Sequence, residues 1–79
     1  MYHFETFRQR LIALRNEKGW DQVQLADRLN TSKSTISMYE SGKRKPGYEM
    51  LCKMSEVFRV SSDYIMGISD IRRGDRPDW

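Results

Sequence analysis

Apolar positions along the chain recur at spacings of three and four, the repeat of an α-helix, and no stretch alternates convincingly in the manner of a strand. Phe4, Phe7, Leu11 and Leu14 make the first stripe, predicting an amphipathic helix from about residue 4 to residue 18. Gly19 closes it, because glycine adopts the left-handed terminal conformation at least cost. WDQVQLADRL then carries two start signals together. Asp21 can cap the helix, and Gln24 three residues later can reach back to the cap's own N–H. Trp20, one residue before the cap, can pack on Leu25 as a hydrophobic staple. A short second helix over 22–29 follows, stopped by Asn30. Ser32 caps a third over 33–41, and Gly42 ends it.

GKRKPG reads as a connector in which Pro46 bars the residue before it from helical geometry. Tyr48, Leu51, Met54 and Phe58 give a fourth helical stripe, with Cys52, Ser55 and Val57 beside it. After Val60, Ser61 or Ser62 caps a short fifth helix, DYIM, that stops at Gly67. The expected architecture is all-α, with residues 1–67 as one domain and 68–79 as a tail. That tail, ISDIRRGDRPDW, has little periodicity and should be ordered only if something covers Ile68, Ile71 and Trp79.

Seventy-nine residues allow one domain with a small core, a size at which disulfides or metals often act as staples. Neither is expected, since Cys52 is the single cysteine and His3 the single histidine. Cys52 is read as a small buried hydrophobe and His3 is assigned no function. No apolar run approaches the roughly 20 residues of a membrane span and no leader precedes the first helix, so a cytoplasmic protein is expected. The formal net charge is only +3, but its distribution is uneven. Residues 1–30 carry +1, residues 31–47 carry +3, residues 48–67 carry −1 and the remainder is neutral. The whole excess therefore equals that of TSKSTISMYESGKRK and its flank, where Lys33, Lys43, Arg44 and Lys45 face only Glu40.

That stretch is poor in core-forming residues, and a helical wheel explains why it should still be ordered. At 100° per residue, Thr35, Ile36 and Tyr39 cluster on one side and Lys33, Ser34, Ser37 and Met38 on the other. The first group can pack on the second helix, where Ala26 permits close approach. The second is free to meet a partner. Two short helices joined by a tight turn, the later one polar outside and followed by cations, suit the major groove of DNA. Lys donates to guanine O6 and N7, Ser pairs with several base edges, and Met38 can touch a thymine methyl. Cations and the N–H groups at the start of the second helix can hold phosphates.

From about Arg8 to Gly67 the chain resembles the Cro and phage-repressor family of helix-turn-helix proteins, also called the XRE family. The resemblance rests on LRNEKG, DQVQLADRLNTSKSTISMYESGKRKP and VSSDYIMG. Gln22, Ala26, the stop at position 30, Ile36, Glu40 and Gly42 fall at the family's spacing. Asn30 stands where glycine is usual, and Val23 where a polar residue is frequent. The resemblance implies a compact five-helix bundle. It also implies that Gln22 binds a phosphate, that Lys33, Ser34, Ser37 and Met38 face base edges, and that Thr31, Ser32, Lys43, Arg44 and Lys45 lie near the DNA backbone. A further implication, which spacing alone does not carry, is a structural pair between Arg15 and Glu40.

The expected function is that of a transcriptional regulator, a repressor of the prophage or mobile-element type that occupies a palindromic double-stranded operator as a homodimer. The alternative is a protein-interaction module, such as an antitoxin or anti-repressor, using the same bundle. No set of nucleophile, base and orienting group, no phosphate-binding glycine loop and no metal spacing is found, so neither an enzyme nor a cofactor is expected. No small-molecule site is evident either. Candidate dimer surfaces are the fifth helix, at Tyr64, Ile65 and Met66, and the tail.

Overall fold

A computed structural model describes residues 3–72, so Trp79 lies outside the described residues. Five helices follow in order: α1 (Phe4–Glu17), α2 (Gln22–Arg28), α3 (Lys33–Ser41), α4 (Tyr48–Phe58) and α5 (Ser62–Met66). No strand occurs among the described residues. Packing joins α2 to α3, α1 to both α3 and α5, and α4 to α5.

Local chemistry sets the boundaries. At the start of α2, Asp21 Oδ1 accepts from the Gln24 N–H at 2.8 Å, and Gln24 Oε1 accepts from the Asp21 N–H at 2.8 Å. Two otherwise orphaned donors are satisfied reciprocally. Ser32 Oγ accepts from the Thr35 N–H to open α3, and Ser61 Oγ accepts from the Tyr64 N–H to open α5. Between α2 and α3 the backbone turns through Asn30 at φ 56°. The Thr31 N–H then donates to the Ala26 carbonyl at 2.9 Å, which ties the turn to the helix it leaves.

The core draws on every helix. Phe7, Leu11, Leu25, Leu29, Ile36, Met54 and Ile65 are its largest fully buried side chains, and burial of each contributes about 1.5–3 kcal/mol. Phe7 stacks on Phe4 at 6.0 Å and meets Tyr39 edge-on at 6.5 Å between ring centroids. The ring contact found for Trp20 is with Phe58 of α4, at 5.9 Å, with the Arg28 guanidinium 4.4 Å from the indole centroid. The approach to α2 is thus fixed by a distant helix as well as by its cap.

Three expectations change. Tyr48, assigned to the buried stripe of α4, is 82% exposed. It lies about 90° from the centre of the face made by Leu51, Met54 and Phe58, and it is the first residue of its helix, where no neighbouring turn covers it. Cys52 is half-buried and not enclosed. Residues 68–72 are placed without an apolar cover, Ile68 and Ile71 both remaining exposed. Polar contacts hold them instead. The Arg10 guanidinium donates to the carbonyls of Tyr64 and Ser69 and pairs with Asp70 at 2.9 Å, while lying 4.0 Å from the Tyr64 ring centroid. The Ser61 N–H donates to the Arg72 carbonyl, and Arg72 pairs with Glu17 of α1 at 2.7 Å.

Where α5 ends, Gly67 has φ +82° and sits against α1, so an added Cβ would come 2.9 Å from His3 Cβ and 3.0 Å from Thr6 Cβ. Gly67→Ala is therefore expected to lose about 1–3 kcal/mol through combined backbone strain and overpacking. Urea unfolding followed by circular dichroism measures it; a variant as stable as the parent would show that α5 can shift without cost.

Candidate nucleic-acid interface

α3 is two-faced. Ile36 and Tyr39 are buried, Thr35 is half-buried, and Lys33, Ser34 and Ser37 are exposed. Met38 is half-buried at the edge of the exposed face. The four residues predicted to face base edges therefore lie together on the outer side of one short helix. The buried side is attached to α2 and α1, and Ala26, 2% exposed, removes bulk where α2 meets α3.

Glu40 joins this helix to the rest of the molecule. It is 7% exposed, and three nitrogens reach its carboxylate. Arg15 Nε donates to Oε2 at 2.7 Å, Arg15 Nη2 to Oε1 at 3.1 Å, and Gln22 Nε2 to Oε1 at 3.0 Å. Arg15 Nη1 also donates to the Trp20 carbonyl at 2.8 Å. One carboxylate thus ties α1, the start of α2 and the end of α3 together. The hydrogen bond to Glu40 raises the Arg15 pKa further from an already high value, against the opposing effect of burial.

The residues assigned to the DNA backbone divide into different situations. Lys43 and Arg44 are exposed just past α3. Lys45 is exposed too, but its ammonium lies 5.3 Å from the Phe4 ring centroid. Ser32 Oγ already serves as the α3 cap and lies 3.0 Å from Thr35 Oγ1. Thr31 is half-buried beside it in the turn. Gln22 gives one of its two amide hydrogens to Glu40. Among the described residues no group of three or more His, Cys, Asp or Glu is placed to hold a metal ion, and no helix is long and apolar enough to cross a membrane.

Residues 11–65 match the helix-turn-helix family, more than half of the chain. The chain belongs to that family, in its Cro and phage-repressor (XRE) branch. This helix-turn-helix chain is 31% identical over 70 residues to the HTH-type transcriptional regulator ImmR of Bacillus subtilis, covering 89% of its own length and 55% of that protein. With the HTH-type transcriptional regulator AnsR of the same organism it shares 40% identity over 58 residues, covering 73% and 50%. It spans about half the length of these curated relatives. Among solved structures it is similar to the P22 c2 repressor in complex with a synthetic operator, with a TM-score of 0.75 and 25% identity, covering 80% of this chain and 96% of that one.

Two features of the helix-turn-helix site escape sequence reasoning. Gln22 is bonded to Glu40, eighteen residues away, a pairing that no helical repeat or cap rule encodes. Arg8 on α1 donates from Nε to the Glu40 carbonyl at 2.9 Å. Its only advance signal is a cation one heptad before Arg15, which by itself predicts no partner.

Removing Arg15 would leave Glu40 buried with Gln22 as its remaining side-chain donor. Arg15→Ala is expected to cost about 3 kcal/mol or more, well beyond the 0–1 kcal/mol of an exposed pair. Thermal unfolding of the two proteins compares them, and an unchanged melting temperature would sink the clamp as a source of stability.

Proposed function

We propose that this helix-turn-helix domain binds double-stranded DNA sequence-specifically and regulates transcription as a repressor, by occupying an operator that overlaps a promoter. The observation that carries this is the outer face of α3. Lys33, Ser34 and Ser37 are exposed, with Met38 at their edge, on a helix whose opposite face is locked to α1 and α2. A short polar helix held so firmly on one side has the dimensions and chemistry of a major-groove reader. The similarity to the P22 c2 repressor, solved with a synthetic operator, supports the same reading.

In this mechanism Lys33, Ser34, Ser37 and Met38 meet base edges. Gln22, Thr31, Ser32, Lys43, Arg44 and Lys45 lie along the backbone, with Lys43 and Arg44 supplying the freest charge. Ser32 contributes chiefly by fixing the start of α3, since its hydroxyl is engaged there. Phosphate contacts set register and supply salt-dependent affinity, and the α3 side chains choose the sequence. A domain this small covers one half-site, so a homodimer on a palindrome with half-sites about one helical turn apart is the working assembly. Ile65 is fully buried in the core, which leaves Tyr64, Met66 and the exposed Ile68 and Ile71 as the pairing surface. The protein acts in the cytoplasm, as a regulator of bacterial-type operators would.

Selection of bound sites from a random duplex pool, followed by fluorescence anisotropy of the winner across a salt series, is the direct test. A palindrome bound far more tightly than bulk DNA is expected; uniform weak binding would overturn the proposal. On the selected site, Lys33→Ala should cost roughly 1–3 kcal/mol and change which sequence is preferred. Lys43→Ala should weaken all DNA alike and lower the salt slope by about one unit. Identical behaviour of the two variants would refute the division between readers and positioners.

A further inference from the structure

We propose that Arg8 is a positioning residue for the basic loop after α3, holding the backbone of residues 42–45 so that Lys43 and Arg44 present their charges in a fixed geometry. The proposal rests on the reading of that loop as phosphate-binding.

Arg8 lies on α1, yet its guanidinium closes the end of α3. Nε donates to the Glu40 carbonyl at 2.9 Å, one of the terminal carbonyls that a helix leaves without an internal partner. Nη1 pairs with Glu5 at 2.6 Å, which orients the planar group from behind. The side-chain stem lies flush against the turn. At Gly42, with φ +86°, an added Cβ would meet Arg8 Cδ at 3.1 Å and Nε at 3.3 Å. Just beyond, the N–H groups of Lys43 and Arg44 donate to the Met38 carbonyl at 2.9 and 3.3 Å, folding the loop back over the last turn of α3. One turn earlier on α1, the Phe4 ring faces the Lys45 ammonium, and Pro46 behind it is buried. The first two turns of α1 thus form the seat on which the basic loop lies.

The residue type matters. A guanidinium can donate from Nε to a carbonyl while its Nη groups engage a carboxylate in the same plane. An ammonium at this place lacks the planar fork that separates the two donors, so it would not hold both partners in this geometry. Because Arg8 is already committed to Glu5 and Glu40, its contribution to DNA binding passes through the loop. Cations on a preorganised loop lose less conformational freedom on contacting phosphates than the same cations on a loose one.

The test is a double-mutant cycle on the selected duplex using the parent, Arg8→Ala, Lys43→Ala and the double variant, with salt slopes measured at a temperature where all are folded. Arg8→Lys replaces Arg8→Ala if the latter unfolds, since it keeps the charge and loses the paired geometry. Lys43→Ala should lower the slope by about one unit, and the Arg8 variant should lower it too. The double variant should then lose well under the sum of the two single losses. Independently of DNA, hydrogen exchange at the Lys43 and Arg44 amides should accelerate in the Arg8 variant while α2 amides keep their rates. Fully additive slopes would mean that Arg8 touches phosphate itself, and unchanged exchange at 43 and 44 would mean that it does not hold the loop; either overturns the inference. If Lys43→Ala alone left the parent slope unchanged, the phosphate reading would fall and the inference with it.

Discussion

A buried carboxylate is the constraint around which this domain is organised. Taking Glu40 out of water carries a penalty of several kcal/mol, and only well-placed donors offset it. Arg15 and Gln22 provide them from two other helices. The arrangement leaves little latitude, because a shift of α1 or α2 relative to α3 by even 1 Å would lengthen a charged hydrogen bond inside a poorly hydrated site. A hydrophobic trio in the same place would hold the helices together without dictating their register. The carboxylate and its donors specify one arrangement, and the presentation of α3 depends on that arrangement.

This constraint also resolves the composition of α3. A helix offering mainly Ile36 and Tyr39 to the core has a narrow apolar footing for nine residues. Glu40 supplies a third attachment that does not require another hydrophobic residue, so the outer face remains polar. The caps at Ser32 and Gly42 complete the helix locally. The buried attachments are confined to one side of α3, and Lys33, Ser34, Ser37 and Ser41 stay exposed.

The parts of this molecule that could be read from sequence are those decided within a few residues. The reciprocal cap of Asp21 and Gln24, the serine cap at 32, and the glycine ends at 19, 42 and 67 all depend on side chains three or four positions away or on a single backbone angle, whereas for α5 the sequence leaves Ser61 and Ser62 both open and the structure selects Ser61. The two faces of α3 follow from the helical repeat alone. Contacts between distant residues were not readable in this way. The Arg15–Glu40 pair follows from the family resemblance and not from spacing, and neither implies the bond from Gln22 to the same carboxylate. Tyr48 is exposed although it falls on the apolar stripe, because a wheel has no ends, whereas a helix does. Arg10 showed least of all. Its partners lie 54 to 60 residues away, and two of them are backbone carbonyls that no side-chain pattern advertises.

Arg10 has a mechanical consequence. The same helix that grips α3 through Arg8 and Arg15 also grips residues 64–72, through Arg10 and through Glu17 to Arg72. α1 therefore behaves as a chassis, with α3 fastened to one side and residues 64–72 to another. Displacing the segment that ends at Arg72 would therefore load α1 directly, the helix on which α3 is seated.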